Sequence, residues 1–192
     1  MATITIFGTG NMGSAIAAAF AAGGHSIEHI DTATPSPVVH GDIVVLAVPY
    51  AAVEGILAAN GPALAGKVVV DITNPVDQET FDGLVVPADS SAAAVIAAAL
   101  PDARVVKAFN TNFAATLASG SVGDLTTTVL VAGNDVDAKR ILTDAVVAGG
   151  HVTVLDAGSL KRARELEALG FLQITLAASE QIAWTSGFAI VR

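Results

Sequence analysis

The order of apolar and polar positions along this chain predicts strands and helices in regular alternation. Residues 3–7 alternate and stop at a glycine, whereas residues 43–48 form a continuous apolar run, which is typical of a strand buried on both faces. Alanine-rich stretches between such runs predict helices. The predicted strands are 3–7, 26–30, 43–48, 67–72, 104–109, 127–132 and 151–155, and the predicted helices are 11–22, 51–59, 90–100, 135–148 and 159–178.

This alternation predicts an α/β fold with a doubly wound, mostly parallel sheet that helices cover on both faces. The chain of 192 residues suffices for one well-buried core. We therefore expect a single domain over 1–192, with a core over 1–155 and a helical extension over 156–192. Residues 188–191 leave room for a last edge strand. The stretch between the second and third predicted strands is too short for a full crossover helix.

Composition and charge exclude several classes of function. The net charge is −9, and no Lys or Arg occurs in the first 66 residues, so the basic stripe that nucleic-acid binding requires is missing. The chain has no cysteine, and its four histidines show no metal-ligand spacing, so we expect no metal site. Neither a membrane span of ~20 apolar residues nor a signal peptide with a positive start is recognisable. These features predict a cytoplasmic protein without a membrane partner.

The segment "GTGNMGSA" after the first predicted strand has the GxGxxG spacing of a dinucleotide-binding turn. In such a turn Gly8 permits the tight bend, Gly10 lets backbone N–H groups approach a diphosphate, and Gly13 allows close packing of helix on strand. The N-terminus of the following helix favours negative charge. The alternative is a glycine-rich turn without a ligand, which is less favoured because three spaced glycines cost backbone entropy.

Asp31 ends the second predicted strand, 18 residues after Gly13. An acid at this position commonly accepts hydrogen bonds from the ribose hydroxyls of adenosine and repels a 2′-phosphate, which favours NAD. Thr32 and Thr34 add donors without charge. The alternative is a turn-starting aspartate without a ligand.

Other predicted strand ends indicate a binding site at the same edge of the sheet, because ligands of open parallel sheets lie outside the carboxyl ends of the strands. Several of these ends carry Asn or Thr among apolar neighbours, as expected of a rim that orients a nicotinamide amide. Asn74 and Asn110 are favoured over Asn134, although Asn and Thr are also common in ordinary loops. Pro49 fixes the chain after the third strand, where an adenine or ribose could lie against Val48, Pro49 and Tyr50.

Six segments occur here in the order seen in the deazaflavin-dependent NADP oxidoreductase family, which the chain resembles over nearly its whole length. They are "ITIFGTGNMGSAIA", "DIVVLAVPY", "GKVVVDITNP", "VVKAFNT", "TVLVAGND" and "LDAGSLKRARELE". That family includes small bacterial dinucleotide-binding proteins and is related to the cytosolic domains of transmembrane ferric reductases. The resemblance implies a single Rossmann domain with a helical C-terminal extension, and hydride transfer between a nicotinamide and a flavin-like coenzyme.

The resemblance also implies which residues contact NADP(H). For the diphosphate it implies contacts from Gly8, Thr9, Gly10, Asn11, Met12 and Gly13, and for the adenosine 2′ position a contact from Thr32. For the adenosine side it implies Val48, Pro49 and Tyr50. For the nicotinamide it implies Thr73, Asn74, Pro75, Ala108, Phe109 and Asn110. The chain departs from the NADP pattern at Asp31, because members that use NADP tend to carry Ser with Arg or Lys there. NAD(H) therefore stays open beside NADP(H).

Three functions fit these residues, and the first is favoured: an NAD(P)-linked oxidoreductase that passes hydride to or from a flavin or deazaflavin. The second is a small imine or hydroxy-acid reductase, since the glycine loop also resembles pyrroline-5-carboxylate reductase, a family that needs a larger helical domain. The third is a non-catalytic module that senses dinucleotides. No catalytic side chain is identified; Lys107 could polarise a substrate carbonyl, but pairing with a nearby carboxylate is favoured. The apolar run 168–178 is consistent with a homodimer contact and equally with ordinary core.

Overall fold

A computed structural model describes residues 1–31 and 37–191 of the chain. Its strands are β1 (Thr3–Phe7), β2 (Ser26–Ile30), β3 (Ile43–Leu46), β4 (Val68–Asp71), β5 (Arg104–Lys107), β6 (Ser121–Val122), β7 (Leu125–Gly133) and β8 (Val152–Gly158). Its helices are α1 (Asn11–Ala22), α2 (Val53–Asn60), α3 (Ala92–Ala99), α4 (Ala114–Ser119), α5 (Val136–Val147) and α6 (Ala163–Ala178).

The strands form one sheet in the order β2-β1-β3-β4-β5-β7-β6, and β8 pairs with β7. β1 lies parallel to both β2 and β3, and β4 and β5 continue the parallel array. The chain therefore moves outward from β1 to β2 and returns to β3 on the other side. Such a reversal opens a crevice at the carboxyl ends of the strands, where ligands bind in open α/β sheets.

Helices cover both faces of the sheet, as expected for a doubly wound fold. One cluster of buried residues packs α1 and α5 against one face, with Ile6, Ile16 and Leu142 at its centre. The other packs α2 and α3 against the opposite face around Leu46 and Ile96. All residues of β3 and β4 are buried, as their apolar runs predict. The predicted fold class is confirmed.

The carboxyl-terminal half of the sheet differs from the simplest expectation. β7 runs antiparallel to β5 and begins in a hairpin with β6, while β8 lies parallel to β7. Residues 188–191, where the sequence left room for a last edge strand, carry no strand. Within the two described ranges, none of the helices is long and apolar enough to cross a membrane.

Candidate functional site

The turn between β1 and α1 is built on two glycines that pack against backbone. Gly8 has φ +109°, and a Cβ there would lie 2.2 Å from the carbonyl oxygen of Ala47 on the neighbouring strand end. A Cβ on Gly13 would lie 2.6 Å from the carbonyl oxygen of Gly8, so the backbone of α1 packs directly against the backbone of the turn. The carbonyl of Gly8 also accepts a hydrogen bond from His29 Nδ1 at 3.0 Å, a contact that sequence reasoning missed. Two of the three glycines thus serve the fold.

Gly10 differs from both, because its missing side chain faces open space. Among the described residues, no heavy atom other than those of its chain neighbours lies within 4 Å of where its Cβ would stand, and its φ of −72° is accessible to any residue. Gly10 is also the N-cap of α1, so the N-cap residue offers no side chain to the first N–H groups, and the first turn contains no acid. Uncapped N–H groups at a helix N-terminus form a ready site for an anion.

Two adjoining cavities extend from this turn along the carboxyl ends of the strands. We call the first the loop cavity; it measures about 400 Å³ and is lined by Gly10, Asn11, Met12, Val48, Pro49, Tyr50, Thr73 and Asn74, among others. We call the second the amide cavity; it measures about 410 Å³ and is lined by Asn74, Asn110, Asn112, Phe113, Gln173 and Trp184, among others. Asn11, Met12, Ile72, Asn74 and Ile174 line both. The two cavities therefore form one groove.

About half of the predicted contact residues line the groove. The loop cavity is lined by Gly10, Asn11, Met12, Val48, Pro49, Tyr50, Thr73 and Asn74, and the amide cavity adds Asn110. Neither cavity is lined by Gly8, Thr9, Gly13, Asp31, Pro75, Ala108 or Phe109. Asp31 is exposed beyond the end of β2, and Thr32 lies outside the described residues.

Phe109 shows why a residue at a strand end need not face a ligand. Its side chain is 1% exposed and packs edge-on against Phe20, with 6.3 Å between the ring centroids. Its backbone has φ +62°, an uncommon value for a residue other than glycine. The bend there directs Phe109 into the core and carries the chain on to Asn110 and Asn112, which line the amide cavity.

Behind the groove lies a buried cluster of three charged side chains, which we call the ion cluster: Asp71, Lys107 and Glu167. Lys107 Nζ lies 2.8 Å from Asp71 Oδ2 and 2.8 Å from Glu167 Oε1. All three side chains are at most 1% exposed. Lys107 therefore pairs with carboxylates, as favoured from the sequence, and its ammonium group does not reach the groove. Burial raises the pKa of Glu167, and Lys107 opposes that shift.

The ion cluster joins the three most recognisable segments of the sequence. Asp71 ends β4 in "GKVVVDITNP", Lys107 ends β5 in "VVKAFNT", and Glu167 lies on α6 in "RARELE". Glu167 also accepts hydrogen bonds from the N–H groups of Ala92 and Ala93, at 2.9 and 3.3 Å, and so caps the start of α3. These segments therefore hold two strand ends and two helices in fixed positions beside the groove.

Asn74 and Asn110 also hold the groove together. Asn74 Nδ2 donates to the carbonyl oxygen of Asn110 at 2.9 Å, and Asn110 Nδ2 donates to Asn74 Oδ1 at 2.9 Å. A Cβ on Gly170 of α6 would lie 2.5 Å from Asn74 Oδ1, so the helix rests directly on this pair. Sequence reasoning selected the two asparagines and missed Gly170, whose only sequence signal is a glycine inside a helical pattern.

Three residues that line the amide cavity each carry a polar atom that is shielded from solvent and has no hydrogen-bond partner in the described part of the chain. The atoms are Asn110 Oδ1, Asn112 Oδ1 and Gln173 Nε2. The rest of the wall is largely apolar and includes Phe113 and Trp184, whose ring centroids lie 4.9 Å apart. Over residues 1–31 and 37–191, no group of three or more His, Cys, Asp and Glu residues could hold a metal ion.

Known proteins share both sequence and fold with this chain. A family model described as NADP oxidoreductase, coenzyme F420-dependent, matches residues 29–75. The F420-dependent NADP reductase of Methanocaldococcus jannaschii is 31% identical over 139 residues, which is 71% of this chain and 62% of the relative. The metalloreductase STEAP3 of Rattus norvegicus is 39% identical over 106 residues, 55% of this chain and 20% of that protein.

A solved structure from Arthrobacter sp. FB24, named as a candidate F420-dependent NADP reductase, matches over 100% of both chains with a TM-score of 0.83 and 26% identity. This chain spans less than two thirds of the length of the two curated relatives. The sequence match, the family model and the full-length structural match point to the same family. The chain resembles the coenzyme F420-dependent NADP oxidoreductases in sequence and fold, as its motifs predicted.

Proposed function

We propose that this chain binds a nicotinamide dinucleotide along the groove and transfers a hydride between its nicotinamide and a flavin or deazaflavin. The observation that carries the proposal is the contrast within the glycine loop. A Cβ on Gly8 or Gly13 would strike backbone, whereas Gly10 faces open space beside an uncapped helix N-terminus. A fold has no need for glycine at such a position, but a diphosphate does, because a Cβ would block its approach to the N–H groups.

The groove residues fit a dinucleotide from one end to the other. The N–H groups at the start of α1 would hold the diphosphate, and Pro49 and Tyr50 would contact the adenosine side. Asn74 and Asn110 lie further along, where the nicotinamide would reach. The nicotinamide, when bound, supplies or accepts the hydride. The protein's part is to orient the ring against an acceptor and to exclude water.

The chemistry of the walls favours a flavin-type acceptor. The walls of both cavities contain no Asp, Glu, Lys, Arg or His within the described residues. Tyr50 is their one ionisable side chain, and burial, aided by the negative charges of Asp71 and Glu167, raises the pKa of its hydroxyl. Reduction of an imine or a keto acid needs a proton donor in reach of the substrate, and the Tyr50 hydroxyl is the candidate on these walls. Hydride transfer between two stacked rings depends mainly on alignment, which these walls can supply.

The choice between NADP and NAD rests on Asp31. The family resemblance favours NADP(H), whereas a carboxylate at the end of β2 favours the ribose hydroxyls of NAD(H). If Asp31 selects the coenzyme, Asp31→Ala should shift the ratio of the NADPH and NADH dissociation constants toward NADPH by about tenfold. Calorimetric titration of both coenzymes measures this ratio. An unchanged ratio would show that Asp31 does not select.

The decisive experiment separates binding from transfer. Trp184 is the single tryptophan and lines the amide cavity, so its fluorescence should report binding of NADPH or NADH. Anaerobic assays should then follow oxidation of the bound coenzyme with coenzyme F420, FMN or a cyclic imine as the acceptor. We expect turnover with a flavin or deazaflavin. Binding without turnover would indicate a sensing module, turnover with the imine alone would indicate an imine reductase, and absence of binding would overturn the proposal.

A further inference from the structure

We propose that the ion cluster biases the redox state of the bound coenzyme, because its buried negative charge stabilises the oxidised, positively charged nicotinamide ring over the reduced, neutral ring. The inference rests on the proposed function and deepens it, since it states how side chains that do not line the groove regulate the same site. The bias makes the bound coenzyme a stronger hydride donor and favours reduction of the flavin or deazaflavin.

The ion cluster contains more negative than positive charge. Lys107 supplies one ammonium group, whereas Asp71 and Glu167 supply two carboxylates, each 2.8 Å from Lys107 Nζ. No other Lys, Arg or His in the described ranges forms an ion pair with either carboxylate. All three side chains are at most 1% exposed, so water and dissolved salt screen the unbalanced charge only weakly.

The ion cluster is joined to the wall of the groove through the backbone of Thr73. Asp71 Oδ1 accepts a hydrogen bond from the N–H group of Thr73 at 2.8 Å, and Lys107 Nζ donates to the carbonyl oxygen of the same residue. Thr73 and Asn74 line the loop cavity, and Asn74 in turn donates to the carbonyl oxygen of Asn110. The unbalanced charge therefore lies directly behind the wall beside which the proposed function places the nicotinamide.

A titratable side chain of the groove wall responds to this charge. Tyr50 lines the loop cavity, and burial, aided by the negative charges of Asp71 and Glu167, raises the pKa of its hydroxyl. A negative potential opposes formation of a phenolate and favours a positive ring through the same Coulomb interaction. The walls of both cavities contain no Lys, Arg or His within the described residues, so they hold no permanent positive charge that would cancel this potential.

The oxidised and reduced coenzymes form a matched pair of probes for this effect. Loss of a hydride, with both electrons of its C–H bond, leaves the ring with one positive charge, while the riboses, the phosphates and the adenine stay the same. The acceptor ring gains that hydride and takes its further proton from water. The ratio of the dissociation constants of NADPH and NADP⁺ therefore isolates the charge effect at the ring, because a loss of packing would weaken binding of both forms.

Calorimetry with NADP⁺ and NADPH on Glu167→Gln tests the inference. Because burial raises the pKa of Glu167, the titrations are made at pH 8, which favours its charged form. We expect the preference for NADP⁺ over NADPH to fall about three- to tenfold relative to the wild-type protein. The matched control is Glu165→Gln on the same helix, since its carboxylate is 56% exposed and should change the preference less than about twofold. An unchanged preference in Glu167→Gln would overturn the inference.

A second variant separates charge from damage to the fold. Asp71→Asn, Lys107→Met and Glu167→Gln together remove every charge of the ion cluster and leave no buried charge without a partner. This triple variant has the same net charge in the cluster as Glu167→Gln, so it should show the same preference despite its two additional substitutions. A triple variant with the wild-type preference would overturn the inference, even if Glu167→Gln does not fold.

The same titrations distinguish this inference from the proposed function. NAD⁺ and NADH replace the NADP pair if the wild-type protein binds them more tightly. If the wild-type protein binds none of the four coenzymes, the proposed function fails and this inference with it. If the coenzymes bind but their ratio does not respond to the charge of the ion cluster, the inference alone fails.

Discussion

The ion cluster and the three amides of the amide cavity are both buried and polar, and both join the end of β5 to α6, yet they differ in how their groups are satisfied. Lys107 faces two carboxylates, and Glu167 also caps α3. Asn110, Asn112 and Gln173 each keep an atom without a partner in the described part of the chain. Buried polar groups are nearly always paired in proteins, so the exceptions need an explanation. The paired cluster is therefore part of the scaffold, whereas no pairing of this kind fixes the free atoms of the three amides.

The largest expected effect comes from breaking the paired cluster. Lys107→Met would leave Asp71 and Glu167 as buried charges without a counter-charge, and removal of one partner of a buried ion pair costs about 3–5 kcal/mol. Urea denaturation at pH 7 measures the loss of the free energy of unfolding. The matched control is Lys139→Met, because Lys139 pairs at 2.7 Å with an Asp156 that is 61% exposed. That surface pair should contribute less than about 1 kcal/mol.

A second variant keeps this prediction testable if Lys107→Met does not fold. Lys107→Met combined with Glu167→Gln removes one of the two uncompensated carboxylates and should recover part of the loss. The view of the ion cluster as scaffold is wrong if Lys107→Met costs no more than Lys139→Met in the same titration.

The glycine loop shows a similar contrast within one turn, because Gly13 packs against backbone whereas Gly10 faces open space. Gly13→Ala should cost about 1–3 kcal/mol of stability, because the new Cβ would stand 2.6 Å from a backbone oxygen. Gly10→Ala should change stability by less than about 1 kcal/mol, the size of an N-cap effect. It should weaken dinucleotide binding about 100-fold, because the methyl group occupies the approach to the helix N-terminus.

Thermal unfolding and calorimetry on the two variants measure both quantities. The contrast fails if Gly10→Ala binds either dinucleotide with wild-type affinity, or if Gly13→Ala is as stable as the wild-type protein.

The smallest expected effect concerns the pH dependence of stability, which should have opposite signs for the carboxylates of Glu167 and Asp156. Burial raises the pKa of Glu167 above its usual 4.5, so its contribution to stability is complete below that value and declines as pH rises through the folded pKa. The hydrogen bond from Lys139 lowers the pKa of Asp156 below its usual 3.8, so that contribution is present at neutral pH and is lost as pH falls.

Urea titrations from pH 3 to pH 8 would compare Glu167→Gln and Asp156→Asn with the wild-type protein. The difference in stability between Asp156→Asn and wild type should shrink toward acid pH. Glu167→Gln should remove the decline that begins above pH 4.5. Slopes of the same sign for the two variants would contradict the assignment of one group to a buried cluster and the other to the surface.

The sequence predicted the parallel half of the fold well because its signals are local. Continuous apolar runs identify β3 and β4, and the glycine spacing identifies the turn before α1. The antiparallel direction of β7 was not predictable, because alternation of apolar residues does not encode strand direction. The site divides in the same way: Asn74 and Asn110 follow strands and were selected.

The contributions of α6 to the site could not be predicted. Glu167, Gly170 and Gln173 follow one another along a helix whose sequence shows only a charged first turn followed by a mostly apolar run. Glu167 and Gly170 contact residues at strand ends that lie 60 to 96 positions away in the chain. A pattern within one helix carries no information about which distant backbone it contacts.

Gly170 limits how far this groove could widen during evolution or engineering. Because Gly170 of α6 lies in direct contact with the Asn74–Asn110 pair, small shifts of the helix cannot widen the groove on that side. The segment after α6 is less constrained, because Trp184 is half exposed and packs against the ring of Phe113. A substitution at position 184 would therefore change the width of the groove more easily than a change in α6.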